Sequence, residues 1–176
     1  MRAGGGRFTV AELDVFEKGH SLDLASAGAA ALHASQHRAL TPDEKRSLSA
    51  LDLLLDPLLR CDLLVIATPV WNFGPPWRLK QWLDCVAQPG KTFRFSAQGP
   101  RGLLTSKAVV LGAVGGPLDD LNALCFAQLR ATLALMGLTP AGEVVAHSVD
   151  VDPSKTEQLL RGSVDEAVAL GRRLVH

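Results

Sequence analysis

Asp62-Leu-Leu-Val-Ile-Ala-Thr-Pro69 runs straight into Val70-Trp-Asn-Phe-Gly-Pro-Pro76, and this junction decides the architecture. The first half is almost continuously apolar and contains β-branched residues, the pattern of a strand buried on both faces of a parallel sheet. The second half, with Gly74, Pro75 and Pro76, continues neither a strand nor a helix, so it forms a loop at the strand's carboxyl end. Upstream, Thr41-Pro42-Asp43-Glu44 is a helix start: Thr41 caps, Pro42 suits the first helical position, and Glu44 completes a capping box. Leu48, Leu51, Leu55 and Leu58 or Leu59 then form an apolar stripe that ends near Arg60. The alanine-rich stretch 25–37 predicts a loosely packed helix, and the alternation of Phe8, Val10, Leu13 and Val15 predicts a short strand at 8–10 followed by extended chain.

Downstream, Leu79, Trp82, Leu83 and Val86 stand at helical spacing over 77–87, closed by Pro89-Gly90. Residues 91–106 read as a long polar connection with Phe93 and Phe95 on either side of Arg94, and a loop of that length predicts a functional or mobile segment. Residues 107–114 predict a second buried strand ending in Gly115-Gly116-Pro117. Asp119 or Asp120 caps the next helix, whose face of Leu121, Leu124, Cys125, Leu129, Leu133 and Met136 stops at Gly137. Residues 143–149 predict a third strand, and Asp152-Pro153 opens a last helix with Leu160, Val164, Ala167, Val168 and Leu174 as its stripe. Strands alternating with helices imply βαβ units, hence an α/β fold: a doubly wound parallel sheet in three α/β/α layers, in a single domain over residues 1–176.

Composition narrows the functional classes. The chain has 176 residues, with 18 basic and 18 acidic groups, 47% hydrophobic and 20% charged residues, which excludes intrinsic disorder. No apolar run approaches the roughly 18 residues that span a bilayer, so no membrane partner is expected. Cys61, Cys85 and Cys125 lie far apart, form no CxxC spacing, and read as free buried thiols. The amino terminus carries no apolar signal segment, from which a cytoplasmic location is expected. Residues 76–107 hold Arg78, Lys80, Lys91, Arg94, Arg101 and Lys107 against Asp84 alone, a net +5. That is too dispersed for a nucleic-acid tract, yet it attracts a small anion such as a nucleotide phosphate.

In parallel sheets ligands sit outside the carboxyl ends of the strands, which places Val70, Trp71, Asn72 and Phe73 opposite Ala113, Val114, Gly115 and Gly116. A flat heteroaromatic ring needs apolar flanks and in-plane hydrogen-bonding groups, and the first loop offers both. Glycines in the second allow either a tight turn or close approach of amides to a ligand. The five histidines sit in no cluster at metal-ligand spacing, so no metal site is expected, and no G-x-S-x-G nucleophile motif is present.

Leu63-Leu-Val-Ile-Ala-Thr-Pro-Val-Trp-Asn-Phe73, Leu79-Lys-Gln-Trp-Leu-Asp84, Gly90-Lys-Thr-Phe-Arg-Phe95 and Gly99-Pro-x-Gly-Leu103, in this order and spacing, resemble the FMN-dependent NADH azoreductases of the flavodoxin-like NAD(P)H:quinone oxidoreductases. The resemblance runs from about Phe8 to the carboxyl terminus and is most specific over residues 62–116. It implies FMN as cofactor and NADH or NADPH as hydride donor, with quinones or azo compounds as electron acceptors. It further implies a homodimer with the flavin at the subunit interface, the loops Val70-Trp71-Asn72-Phe73 and Ala113-Val114-Gly115-Gly116 around the isoalloxazine, and Phe95 beside the acceptor. The cofactor does the chemistry, so no catalytic acid or base is assigned. Trp71 stands where the family has tyrosine, and Ala113 and Val114 where it has more polar residues.

The family's chain opens with a strand, a serine-rich phosphate loop and a helix, whereas this chain opens on what resembles the second strand. The first βα unit is therefore expected to be missing, leaving exposed inner sheet edges and no helix-terminal phosphate cradle. A non-catalytic binding protein of the same fold, or a flavin reductase that releases reduced FMN, remain alternatives at this level.

Overall fold

Thr41 does cap a helix. Its hydroxyl accepts from the Glu44 amide at 3.3 Å while its own amide donates to the Glu44 carboxylate at 2.8 Å. The computed structural model describes residues 9–17 and 24–174. Its elements run α1 (Leu24–Ser35), α2 (Pro42–Arg60), β1 (Leu63–Pro69), α3 (Trp77–Val86), β2 (Phe93–Ser96), β3 (Gly99–Gly102), β4 (Lys107–Ala113), α4 (Asp120–Met136), β5 (Thr139–Ala146) and α5 (Thr156–Leu174).

The three long strands form one parallel sheet in the order β1-β4-β5. Against one face lie α2, α3 and α4, whose Leu51, Leu55, Leu83, Phe126, Leu129 and Met136 pack on Ile66, Ala108 and Val110. Each fully buried side chain of this size contributes about 1.5–3 kcal/mol, so this face holds most of the fold's driving force. On the other face α5 covers β4 and β5 through Leu170, packed with Val109 and Val144. The sheet thus has helices on both sides, the expected α/β/α arrangement. Asp119 rather than Asp120 caps α4, accepting from the Asn122 amide at 2.9 Å, and Gly137 ends it in a left-handed conformation.

Four expectations are corrected. β1 is not buried on both faces: Ile66 is buried, but Leu63 and Val65 are 39% and 51% exposed. α5 lies over the two strands at the other side of the sheet, and among the described residues β4 is the only strand that pairs with β1. The strand expected at 8–10 is absent where it can be checked, because Thr9 and Val10 are irregular and exposed and Phe8 lies outside the described residues. Val15 instead packs against the main core, and with Leu13 it borders a small hollow shared with Leu54, Trp82 and Cys85, so the alternation belongs to a strap across helices. The third strand lies at Thr139–Ala146, earlier than expected. An edge strand tolerates Pro140, the extra residue Ala141 bulges between the Ala108–Pro140 and Val109–Gly142 pairs, and Ser148 with φ 59° turns the chain away.

The fourth correction concerns residues 91–106, which contain an antiparallel hairpin of β2 and β3 rather than a loop. Phe93-Arg-Phe-Ser alternates as a strand, and Gly99 at φ 105° permits the reversal after Ala97-Gln98. The hairpin's root is held from several sides. The buried Thr92 hydroxyl donates to the Val86 carbonyl at 2.8 Å and accepts from the Gln88 amide at 2.9 Å. Lys91 pairs with Asp52 of α2, and the Leu103 and Leu104 amides donate to the Met136 carbonyl at 3.1 and 2.9 Å. A Cβ on Gly102 would stand 2.1 Å from the Gly137 nitrogen, so the hairpin rests directly on the end of α4.

Candidate functional site

β1, β4 and β5 end side by side, and three loops leave from their carboxyl ends. The Val70 amide donates to the Ala113 carbonyl at 2.9 Å and the Val114 amide to the Ala146 carbonyl at 2.8 Å, carrying the ladder one residue beyond the strands. These bonds bring the two sequence-predicted loops together. They also use the polar backbone groups on which they draw, and Val114 buries its side chain in the core, so Val70, Ala113 and Val114 chiefly set the positions of their neighbours.

The first loop closes tightly: the Trp71 amide donates to the Gly74 carbonyl at 2.8 Å and the Gly74 amide to the Trp71 carbonyl at 3.0 Å. Between them Asn72 and Phe73 both adopt left-handed backbone, with φ 47° and 67°. Asparagine tolerates this conformation, whereas a bulky residue pays about 1–3 kcal/mol for it. The reversal leaves Trp71 and Phe73 half exposed, 49% and 50%, on one short rigid loop. Neither the amides of Asn72 and Phe73 nor the Asn72 side chain is hydrogen-bonded to another described residue.

The second loop is pinned by a third that sequence reasoning missed. The Ser148 amide donates to the Gly116 carbonyl at 2.7 Å, the Val149 amide to the Val114 carbonyl at 3.3 Å and the Asp150 amide to the Gly115 carbonyl at 3.0 Å. A Cβ on Gly115 would lie 2.4 Å from Asp150 Oδ2, so glycine is required by close packing, while Gly116 faces open space. The carbonyls of both glycines are engaged from behind, and their amides have no partner among the described residues. Phe16 is the second missed residue: its ring stands 5.7 Å from that of Trp71, tilted by 57°. No local signal marks it, since the strap reaches the loop only through tertiary packing.

The first two loops carry no lysine or arginine, which suits them to an uncharged ring more than to a phosphate dianion. The first loop presents the aromatic planes, and the two together hold four amides with no partner among the described residues, donors that can meet the carbonyl and nitrogen acceptors along the edge of a flavin ring. The residues therefore fit the isoalloxazine half of FMN. Burial pushes the thiols of Cys85 and Cys125 up to about 11 and raises that of Cys61, so none of them is a ready nucleophile. Among the described residues no group of three or more His, Cys, Asp or Glu is arranged to hold a metal ion, and no helix is long and apolar enough to cross a membrane.

Phe95 is not brought to this crevice by its own chain's topology. The hairpin springs from the amino end of the sheet, where Leu104 meets Met136 and the Thr139 amide donates to the Ser106 carbonyl. Phe95 is 68% exposed there, packed edge-on against the buried Phe93 with centroids 5.4 Å apart.

The fold is shared with known proteins. A family profile described as a flavodoxin-like fold matches residues 2–170. An FMN-dependent NADH:quinone oxidoreductase of Exiguobacterium sp. is 37% identical over 139 residues, 77% of this chain and 65% of that protein. One from Staphylococcus aureus is 33% identical over 141 residues, 77% of this chain and 68% of the relative. The chain thus spans about two thirds of the length of these curated relatives. Among solved structures, an azoreductase from Bacillus anthracis superposes with a TM-score of 0.83 at 24% identity, covering 94% of this chain and 82% of its own.

Proposed function

The chain belongs to the flavodoxin-like fold family, and on that premise we propose that it is an FMN-dependent NAD(P)H:quinone oxidoreductase that also reduces azo compounds. The observation that carries this reading is the crevice itself: unengaged amides of Asn72, Phe73, Gly115 and Gly116 beside the exposed rings of Trp71 and Phe73. The two relatives named for FMN-dependent NADH:quinone oxidoreduction support it. When bound, FMN would supply the chemistry, accepting a hydride from NADH or NADPH and returning two electrons to a quinone or azo acceptor.

The chain's own residues bind and orient. Val70 and Ala113 hold the two loops at a fixed separation, Trp71 and Phe73 flank the ring, and the Asn72, Gly115 and Gly116 amides donate to its edge. Backbone donors do not titrate near neutrality, so their contribution is independent of pH in that range. They are also set in place by the strands before any ligand arrives, which reduces reorganisation on binding. No side chain is assigned as a catalytic acid or base.

A homodimer completes the reading. Phe95 rises from the amino end of the sheet and the crevice lies at the carboxyl end, so an acceptor pocket bordered by Phe95 would combine residues of two protomers. The acceptor is a small molecule, and the location proposed is cytoplasmic, in keeping with three dispersed free cysteines. A binding role without catalysis is the second reading, favoured by the edge of β1 that pairs with no other strand among the described residues and by its outward-facing Leu63 and Val65.

Titrating FMN while following Trp71-sensitive fluorescence, then adding NADH with a quinone or an azo dye, tests the proposal. The same assay is run on the chain extended upstream. Saturable flavin binding with donor oxidation is expected in at least the extended form. If that form neither retains flavin nor oxidises the dinucleotide, the enzyme reading fails, and light scattering that finds only monomer removes the shared pocket.

A further inference from the structure

We propose that Arg94 and Arg101 form an oxyanion-binding pair, a clamp for the phosphate of a dinucleotide donor or the sulfonate of an aromatic acceptor. The reading rests on the proposed function only for the identity of the ligand. In the hairpin Arg94 stands directly opposite Arg101 in the antiparallel register. Residues so paired share one face with their Cβ atoms about 4.5–5.5 Å apart, and like charges placed this way destabilise a hairpin. A two-stranded ribbon has little stability of its own to spare.

Among the described residues no ion pair offsets the repulsion. Between Asp84 and Asp119 the chain contains no aspartate or glutamate, and neither arginine makes an ion pair among the described residues. Basic residues without an ion pair among the described residues occur elsewhere on the surface, Lys107 and Arg172 among them, but Arg94 and Arg101 stand directly opposite each other on paired strands, whereas their neighbours Lys80 and Lys91 pair with Asp84 and Asp52. Both arginines line the open hollow at the hairpin together with Phe95, Ser96, Gln98 and Pro100. The arm that presents them is anchored by Thr92, by the Lys91–Asp52 pair and by the Gly102–Gly137 contact, so their guanidinium groups start from fixed Cα positions. Two planar forks on one face suit a tetrahedral oxyanion, which accepts paired N–H donors and neutralises the repulsion at once. The same residues as solvated decoration would carry the cross-strand cost with no return.

Isothermal titration calorimetry on the flavin-free chain, with inorganic pyrophosphate, NADH, NADPH and a naphthalenesulfonate as separate probes, tests the clamp. Arg94→Gln and Arg101→Gln should each weaken binding of at least one probe about tenfold. Arg94→Lys/Arg101→Lys, which keeps the charge and loses the forks, should fall between the parent and the glutamines. Arg172→Gln, an exposed charge at the end of α5, should change binding less than twofold. Loss confined to pyrophosphate and dinucleotides identifies the donor as source, and loss confined to the sulfonate identifies the acceptor. Far-ultraviolet circular dichroism checks that each variant is folded, and unliganded Arg101→Gln should melt no lower than the parent. Binding of every probe by Arg94→Gln and Arg101→Gln equal to the parent's, or an equal loss in Arg172→Gln, overturns the proposal. Failure to retain FMN with the arginine-dependent binding intact would count against the flavin reading alone.

Discussion

At φ 67° Phe73 sits where its Cβ crowds its own backbone, while half of its ring remains in solvent. Folding alone gives no reason to keep phenylalanine there, since glycine or asparagine would hold the same turn at lower cost. Phe73→Gly should therefore leave the melting temperature unchanged or raise it, while weakening FMN binding by about tenfold. A clear fall in melting temperature would show that the ring stabilises the fold. Gly115 carries the opposite constraint. Any Cβ there meets the Asp150 carboxylate, so Gly115→Ala should displace the 147–151 loop and weaken flavin binding, with destabilisation of about 1–3 kcal/mol by chemical denaturation. The loop residues Trp71, Asn72, Phe73, Gly115 and Gly116 were legible from sequence because strand ends and turn chemistry mark them. Phe16 and Asp150 were not, because their proximity is made by chain segments remote from both motifs.

Between elements, α1 and α2 are tied by His33, whose Nδ1 lies 2.6 Å from Glu44 Oε1. The Thr41 amide, then the His33 ring and the Thr41 hydroxyl, hold the Glu44 carboxyl down at about 2 from its ordinary 4.5. A carboxyl depressed in the folded state stabilises fully above its unfolded value and loses that contribution as pH falls. Urea midpoints should thus decline between about pH 4.5 and pH 2, with a shallower decline in Glu44→Gln. The hairpin supplies a second element-level case. Gly102→Ala would force β3 off Gly137 and should cost about 1–3 kcal/mol or more, with faster proteolysis at Arg94 and Arg101. Reading 91–106 as a loop failed because the hairpin is polar and glycine-rich, and its stability comes from anchorage at its root rather than from a hydrophobic face.

For the molecule as a whole, the uneven cover of the sheet is the main consequence. β4 is buried on both sides, whereas β1 presents Leu63 and Val65 outward with one paired edge among the described residues. Val65→Ser should change stability by no more than about 0.5 kcal/mol, while Ile66→Ala on the inner face should cost about 2–5 kcal/mol. Similar costs at both positions would show that the outer face is covered in solution. Sequence alone determined the helices, the parallel α/β class and the crevice loops, because hydrophobic periodicity, caps and turn residues act over a few neighbouring positions. Tertiary structure alone decided which face of β1 is covered, that residues 93–102 form an anchored hairpin, and that Phe16 and Asp150 reach the crevice. Those outcomes depend on contacts between distant segments, whose energies local patterns do not encode.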